Sequence, residues 1–166
     1  MHRLAAPVLA CLALAAFAGG AAEARESLGL FGGWGAFADP GEGRCYAIAK
    51  AIPSTLQRDY EPYATVGTWP KRGVRNQVHF RMSRKLAADP RLSIIIGDER
   101  YKLTGGGGDA WAPDARTNAA LLAKMRSARS MTVSASGANG QRFSNTWPLA
   151  GAATAMDAAS LGCARQ

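Results

Sequence analysis

The feature that most constrains the fold of this chain is a series of short segments in which apolar and polar residues alternate. The clearest of them runs from Val74 to Met82. An alternation with a period of two places one set of side chains in the core and the other in water, so it predicts a half-buried β-strand. The predicted core side is Val74, Val78, Phe80 and Met82, and the predicted solvent side is Arg75, Gln77, His79 and Arg81.

Other segments of strand length are separated by clusters of Gly, Pro, Asp and Asn, which are typical of turns. The further predicted strands cover residues 28–38, 43–50, 63–69, 92–96, 100–104, 109–112, 131–136 and 142–149. We expect the first two to form an opening hairpin, residues 51–62 to form a loop, and Gly105–Gly108 to form a hairpin tip. Residue spacings of three and four predict helices over 114–127 and 150–161. About eight short strands with turns between them favour an all-β sandwich in a single domain, residues 25–166.

The first 24 residues are predicted to be a cleaved signal peptide. A basic head at residues 1–3 precedes an uncharged apolar run from Leu4 to Ala18, and Ala22-Glu23-Ala24 supplies small residues before the cleavage point. The alternatives are a membrane anchor, for which the apolar run is short, and lipid attachment at Cys11, which comes too early in the run. We therefore expect cleavage after Ala24, a periplasmic or secreted protein, and no transmembrane segment in the mature chain.

Two cysteines remain after this cleavage, Cys45 and Cys163. An even number of cysteines in an oxidising compartment predicts one disulfide, and two unpaired buried thiols are the alternative.

The chain is basic, with 20 Lys and Arg residues against 12 Asp and Glu residues and a formal net charge of +8. Cleavage removes one residue of each sign and leaves this charge unchanged. Residues 71–85 contain no acidic residue, and such a strip attracts polyanions and anionic envelope surfaces. The alternative is a solvated edge strand whose charges prevent sheets from pairing. The candidate residues for binding an anionic partner are Lys71, Arg72, Arg75, His79, Arg81, Arg84 and Lys85.

No pattern in the sequence predicts catalysis, a cofactor or a metal site. His79 is the one histidine after residue 24, and the positive charges of Arg75 and Arg81 beside it would disfavour its protonation. The close carboxylate pairs, Asp59 with Glu61 and Asp98 with Glu99, lie in predicted loops and turns. The four tryptophans are expected to pack in the core, with a carbohydrate platform as the alternative for any that are exposed. Export and the absence of a reading motif argue against a nucleic-acid partner.

Most of the mature chain resembles the invasion-associated locus B family of exported alphaproteobacterial proteins. The segments that carry the resemblance are FGGWGAF at 31–37, GRCYAIAKA at 43–51, YATVGTWP at 63–70, IGDERYKL at 96–103, DAWAPDARTNAALLAKM at 109–125, RSMTVSASGANGQRFSNTWPLAG at 129–151, and Cys163. The resemblance implies an immunoglobulin-like β-sandwich, export to the envelope, and an association with host-cell invasion in some pathogens. It implies no catalytic residues.

These observations predict a mainly β, immunoglobulin-like sandwich with one or two short helices that binds an envelope or host component without catalysis. Two other functions are kept open. One is a hydrolase of envelope polymers that uses Asp or Glu, and the other is a structural partner of another envelope protein.

Overall fold

The computed structural model describes residues 25–164, and the predicted signal peptide lies outside them. This part of the chain forms eleven β-strands and two α-helices. The strands are β1 (Glu26–Phe31), β2 (Trp34–Asp39), β3 (Arg44–Lys50), β4 (Tyr63–Trp69), β5 (Val74–Arg81), β6 (Ser93–Ile96), β7 (Glu99–Lys102), β8 (Thr104–Gly106), β9 (Asp109–Trp111), β10 (Ser130–Ser136) and β11 (Arg142–Pro148). The helices are α1 (Ala115–Met125) and α2 (Ala152–Cys163).

The strands form two antiparallel sheets, which confirms the prediction of a mainly β sandwich with short helices. The large sheet has seven strands in the order β1-β2-β3-β4-β5-β9-β8, and the small sheet has four in the order β11-β10-β6-β7. The sheets meet in a core where the rings of Phe80 and Trp147 lie 5.5 Å apart. Helix α2 packs on β1–β4, so α2 and the small sheet together cover one face of the large sheet.

The N-terminal region has one strand more than the sequence predicted. Residues 28–38, expected to be a single strand, form the β1–β2 hairpin, in which Phe31 pairs with Trp34. The chain turns at Gly32 and Gly33, and Gly32 has a positive φ of 57°. Glycine at the first turn position supplies the positive φ that a two-residue hairpin turn requires there. The hairpin predicted between this region and residues 43–50 is present as β2–β3.

The two helices lie close to their predicted positions. Helix α1 begins after Asp114, whose carboxylate accepts a hydrogen bond from the Thr117 N–H at 2.7 Å, as an N-cap residue does. Helix α2 begins two residues later than predicted because Gly151 has a φ of 89° and lies against the backbone of Phe31. A side chain at Gly151 would collide with that carbonyl, so the turn between β11 and α2 depends on glycine.

The C-terminal end of α2 is joined covalently to the large sheet. Cys163 forms the predicted disulfide with Cys45 on β3, and their Cα atoms are 5.6 Å apart. The prediction of one disulfide is therefore confirmed. Neither helix in residues 25–164 has the length and apolar character needed to cross a membrane.

Strand β5 contains a β-bulge that changes the side on which its first residues lie. Gly67 pairs with Gln77 and Trp69 pairs with Val74, so two residues, Arg75 and Asn76, lie opposite Thr68. Asn76 has a φ of 49°, and such an extra residue interrupts the strict alternation of a strand. The predicted core position of Val74 was therefore wrong, because Val74 shares the side of Trp69 and is only partly buried.

Helix α1 closes the edge of β5 beyond the end of β9. The Asn118 side chain accepts a hydrogen bond from the Val78 N–H at 2.9 Å and donates one to the Asn76 carbonyl at 3.0 Å. One amide side chain thus takes the place of a peptide unit from a neighbouring strand and satisfies two backbone groups.

Candidate functional site

The two faces of the large sheet have different surroundings, and the candidate residues are distributed between them. The covered face packs against the small sheet and α2. The other face, here called the open face, has no helix or strand of residues 25–164 over it. In the part of the sheet that concerns function, it carries Tyr63, Thr65, Gly67 and Trp69 on β4, Gln77, His79 and Arg81 on β5, and Asp109 and Trp111 on β9.

His79 lies at the centre of a cluster on the open face. Its Nε2 is 3.0 Å from Asp109 Oδ1, and its Nδ1 is 3.4 Å from Thr65 Oγ1. The rings of Tyr63 and Trp111 flank the imidazole, with centroids at 5.8 Å and 5.2 Å. A carboxylate accepts hydrogen bonds, so this arrangement favours a neutral imidazole with its proton on Nε2 and with Nδ1 facing the threonine hydroxyl.

Asp109 links this histidine to Arg81. Arg81 Nη1 donates to Asp109 Oδ2 at 2.6 Å, and the guanidinium lies 4.0 Å from the centroid of the Tyr60 ring. Tyr60 itself lies over Gly108, in the turn between β8 and β9. The charge of Arg81 is thus balanced by a carboxylate and its plane is held by an aromatic ring, which fixes the side chain in one position.

The His79 imidazole has a pKa below its ordinary value. Burial is the main cause, the Arg81 guanidinium contributes in the same direction, and the hydrogen bond and charge of Asp109 oppose both. The direction agrees with the expectation from the sequence. The expected cause was the neighbouring arginine charges, whereas the side chain is mostly buried, with 19% of its surface exposed, and burial has the larger effect.

The Thr65, His79 and Asp109 side chains bring a hydroxyl, an imidazole and a carboxylate together, as nucleophilic hydrolases do. Acyl transfer also needs free backbone N–H groups to stabilise an oxyanion. Strand β4 pairs with β3 on one side and with β5 on the other along this region, so its N–H groups belong to the sheet. Along this stretch β4 therefore lacks the free N–H groups that an acyl-transfer centre would use.

The predicted basic residues do not form one continuous strip. Lys71 and Arg72 lie in the 3-10 turn Pro70–Arg72 before β5, and Arg84 and Lys85 follow β5 at its other end. Eight residues of extended chain span about 26 Å, so the two groups are far apart. His79 and Arg81 lie between them on the open face.

The bulge at Asn76 separates Arg75 from His79 and Arg81. Arg75 is exposed and lines a small cavity of about 180 Å³ with Thr68, Ser160 and Cys163, at the C-terminal end of α2. The expectation that Arg75, His79 and Arg81 share one strand face was therefore wrong for Arg75. Asn76 makes this arrangement rigid, because its side-chain oxygen accepts hydrogen bonds from the Thr68 and Ser160 hydroxyls, each at 3.3 Å.

Lys71, Arg72 and Arg75 lie close together in the chain, at the connection between β4 and β5, and are here called the basic turn. All three are exposed, and none makes an ion pair with another residue of the described chain. The edge-strand alternative was wrong for His79 and Arg81, because at these residues β5 pairs with β4 on one side and with β9 on the other.

Arg84 and Lys85 contact the loop that precedes β4. Arg84 Nε donates to the Gln57 carbonyl at 3.1 Å, and the Lys85 N–H donates to the Asp59 carboxylate at 2.8 Å. Both residues therefore help to hold this loop. Arg84 lines two neighbouring cavities, and Lys85 lines one of them.

Sequence reasoning missed the acid and the aromatic rings that surround His79. Asp109 was placed at the start of the predicted strand 109–112 with no role assigned to its carboxylate, and Trp111 was assigned to the core. The signal that could have found them is the alternation of Tyr63 and Thr65 with the buried Ala64 and Val66, which places the polar side chains of β4 on the open face.

The predicted carboxylate pairs do not face each other across a cavity. Asp59 lines one cavity and Glu61 lines its neighbour, where Glu61 pairs with Arg58 at 3.0 Å. Glu99 is held by Lys124 and by the Tyr101 hydroxyl. Within residues 25–164, no group of three His, Cys, Asp or Glu side chains is arranged to hold a metal ion.

No protein-family model matches the chain, and neither a curated protein nor a solved structure is significantly similar to it.

Proposed function

We propose that the protein is exported to the cell envelope, as the resemblance to the invasion-associated locus B family implies, and that it acts there by binding an anionic partner without catalysis. The observation that carries the proposal is the basic turn. Three exposed cations lie there without a carboxylate partner in the described chain, and cations in this state are available to an external anion.

The basic turn is a better contact for an anion than the middle of β5. Arg81 is already paired with Asp109, and an incoming anion would have to compete with that carboxylate. Lys71, Arg72 and Arg75 have no such competitor among the described residues. Their backbone is well ordered by the turn at Pro70 and Gly73 and by the hydrogen bonds of Asn76, so little freedom is lost when they contact a partner.

Export is supported by the apolar N-terminal segment and by the disulfide, which forms most readily in an oxidising compartment. Strand β1 begins at Glu26, so cleavage after Ala24 would leave every described strand intact. Cell fractionation followed by N-terminal sequencing tests this part of the proposal. We expect the periplasmic or secreted form to begin at Arg25, and a cytoplasmic protein that retains residues 1–24 would contradict it.

Binding is tested by sedimentation of the mature protein with vesicles of phosphatidylglycerol and with vesicles of phosphatidylcholine. We expect binding to the anionic vesicles alone and a loss of binding at high salt. Each basic residue near an anionic surface contributes about 1 kcal/mol, so Arg72→Glu/Arg75→Glu should weaken binding about 10-fold or more.

The matched control is Arg116→Glu/Arg142→Glu, which makes the same change of net charge at two exposed residues on α1 and β11. We expect this control to change binding by less than the basic-turn variant, by about threefold at most. Equal weakening by both variants would show that net charge alone matters, and binding that is independent of salt would contradict the proposal.

A further inference from the structure

A cavity of about 480 Å³ lies beneath the loop of residues 51–62, away from the basic turn. The base of this loop is closed by a hydrogen bond from the Ala51 N–H to the Pro62 carbonyl at 3.1 Å. The Ile52 N–H donates to the Thr146 carbonyl on β11 at 2.8 Å, and the Asp59 N–H donates to the Ser83 carbonyl at 2.8 Å. These contacts fix both ends of the loop on the sandwich and leave an arch between them, as in an Ω-loop.

The wall of the cavity is apolar and incompletely covered. Ile52 and Leu56 contribute to it from the loop, and Phe143 contributes from β11. Ile52 is 50% exposed and Leu56 is 63% exposed, so this one cavity holds two of the five large apolar side chains that residues 25–164 leave exposed. Apolar surface gathered in a concave site stabilises a complex when an apolar ligand covers it.

The rim of the same cavity is cationic. Lys50, Arg58 and Arg84 line it, and Glu61 is its one acidic residue. Glu61 pairs with Arg58 at 3.0 Å, which leaves Lys50 and Arg84 without an ion pair inside the described chain. The Arg84 guanidinium lies 5.9 Å from the centroid of the Phe143 ring, so a positive charge stands directly beside the apolar wall.

We propose that this cavity binds a medium-chain fatty carboxylate, with its alkyl chain against Ile52, Leu56 and Phe143 and its carboxylate beside Arg84 and Lys50. The volume falls within the range of about 300–1,000 Å³ that is typical of small-ligand sites. The apolar wall accounts for the chain, and the net positive rim accounts for the anionic head. The Arg84 Nε–H is used by the Gln57 carbonyl, and the Nη groups of a guanidinium are well suited to a carboxylate.

The test is calorimetric titration of the mature protein with dodecanoate, 1-dodecanol and acetate. We expect saturable binding of one dodecanoate per protein, binding of dodecanol at least about 10-fold weaker because it lacks the charge, and no detectable binding of acetate. Absence of saturable dodecanoate binding, or equal affinity for dodecanol, would overturn the proposal.

Variants locate the site. Arg84→Gln should weaken dodecanoate binding about 10-fold through loss of a charge-assisted contact, and Leu56→Ala about fivefold through loss of apolar contact. Leu161→Ala is the matched control, because Leu161 on α2 is 61% exposed, much as Leu56 is. Equal weakening by Leu56→Ala and Leu161→Ala would place binding elsewhere.

This proposal is independent of the anionic partner proposed for the basic turn. Arg72→Glu/Arg75→Glu should leave dodecanoate affinity within about twofold, since a charge further away than the Debye length of about 10 Å is largely screened. A large loss of dodecanoate affinity in that variant would contradict the separate location of the two sites.

Discussion

The part of the covered face beneath α2 and the part of the open face around His79 belong to the same sheet but use side chains of different size. Beneath α2, most of the buried residues on both sides of the contact are small, with Met156 on the helix as a larger one. The small residues are Ala36, Ala38, Ala47 and Ala49 on β2 and β3 and Ala152, Ala155 and Ala159 on α2. On the open face, large rings and charged side chains cover one another without a second layer.

This difference shows that the two regions of one sheet are ordered in different ways. Small residues allow α2 to approach closely enough for the disulfide to form, and close approach maximises dispersion contacts. The open face keeps its polar groups in contact with water and orders them through neighbouring side chains. We therefore expect substitutions on the covered face to cost more free energy of unfolding than substitutions on the open face.

The largest effect is expected from removal of the disulfide. Cys45 and Cys163 are 118 residues apart in sequence, and closing so long a loop restricts the unfolded chain strongly. The double variant Cys45→Ala/Cys163→Ala should lower the free energy of unfolding by about 2–5 kcal/mol, measured by urea denaturation. Reduction of the wild-type protein is the control and should lower stability to a similar degree, with no further effect on the variant. An unchanged urea midpoint would show that the disulfide does not stabilise the covered face.

A matched pair of alanine substitutions on β5 compares the two faces directly. Val78 is fully buried on the covered face, and Gln77 is exposed on the open face. Val78→Ala should cost about 2 kcal/mol of unfolding free energy through lost apolar contact and a residual cavity. Gln77→Ala should change it by less than about 0.5 kcal/mol, as surface substitutions usually do. Similar losses in urea denaturation for the two variants would break the distinction between the faces.

Gly67 is an open-face position where a small change should nevertheless have a cost. The Trp69 ring lies against this glycine, and a Cβ at residue 67 would meet two of its ring atoms at 2.7 Å. Gly67→Ala should therefore displace the ring and destabilise the protein by about 1 kcal/mol, within the range for overpacking. Tryptophan fluorescence should shift toward that of an exposed indole. The double variant Gly67→Ala/Trp69→Ala is the control, because without the ring the added methyl group should cost little.

Much of this fold follows from local pattern in the sequence. Residues 63–69 were predicted to be a strand and form β4 with those limits, because Ala64 and Val66 alternate with Tyr63 and Thr65. The disulfide followed from the cysteine count and the predicted compartment. In both cases the information lies within one segment or in the composition, and no knowledge of the tertiary structure is needed.

The candidate site was less predictable because it depends on which segments become neighbours. Asp109 is 28 residues from Arg81 in sequence, yet it neutralises this arginine. The bulge at Asn76 depends on hydrogen bonds to Thr68 and Ser160, which lie on other elements, and it moves Arg75 off the face of His79. The prediction of a basic strip used residues 71–85 alone, and it therefore overestimated the charge available at the middle of β5.

The smallest effect is expected from His79, and it tests whether the open face is ordered by its own side chains. Burial holds the pKa of His79 below its ordinary value, so between the folded and unfolded pKa values the unfolded chain binds more protons than the folded protein. The stabilisation by neutral His79 is therefore fully present above the unfolded pKa and is lost as pH falls through the folded pKa. Urea denaturation as a function of pH should show stability rising with pH across this window, about pH 6.5 and just below.

His79→Gln keeps a side-chain amide near Asp109 and removes the titration, so it should flatten the profile of stability against pH in this window. Since His79 is the one histidine after residue 24, an unchanged slope in the variant would show that the cluster around Asp109 makes no use of a neutral imidazole.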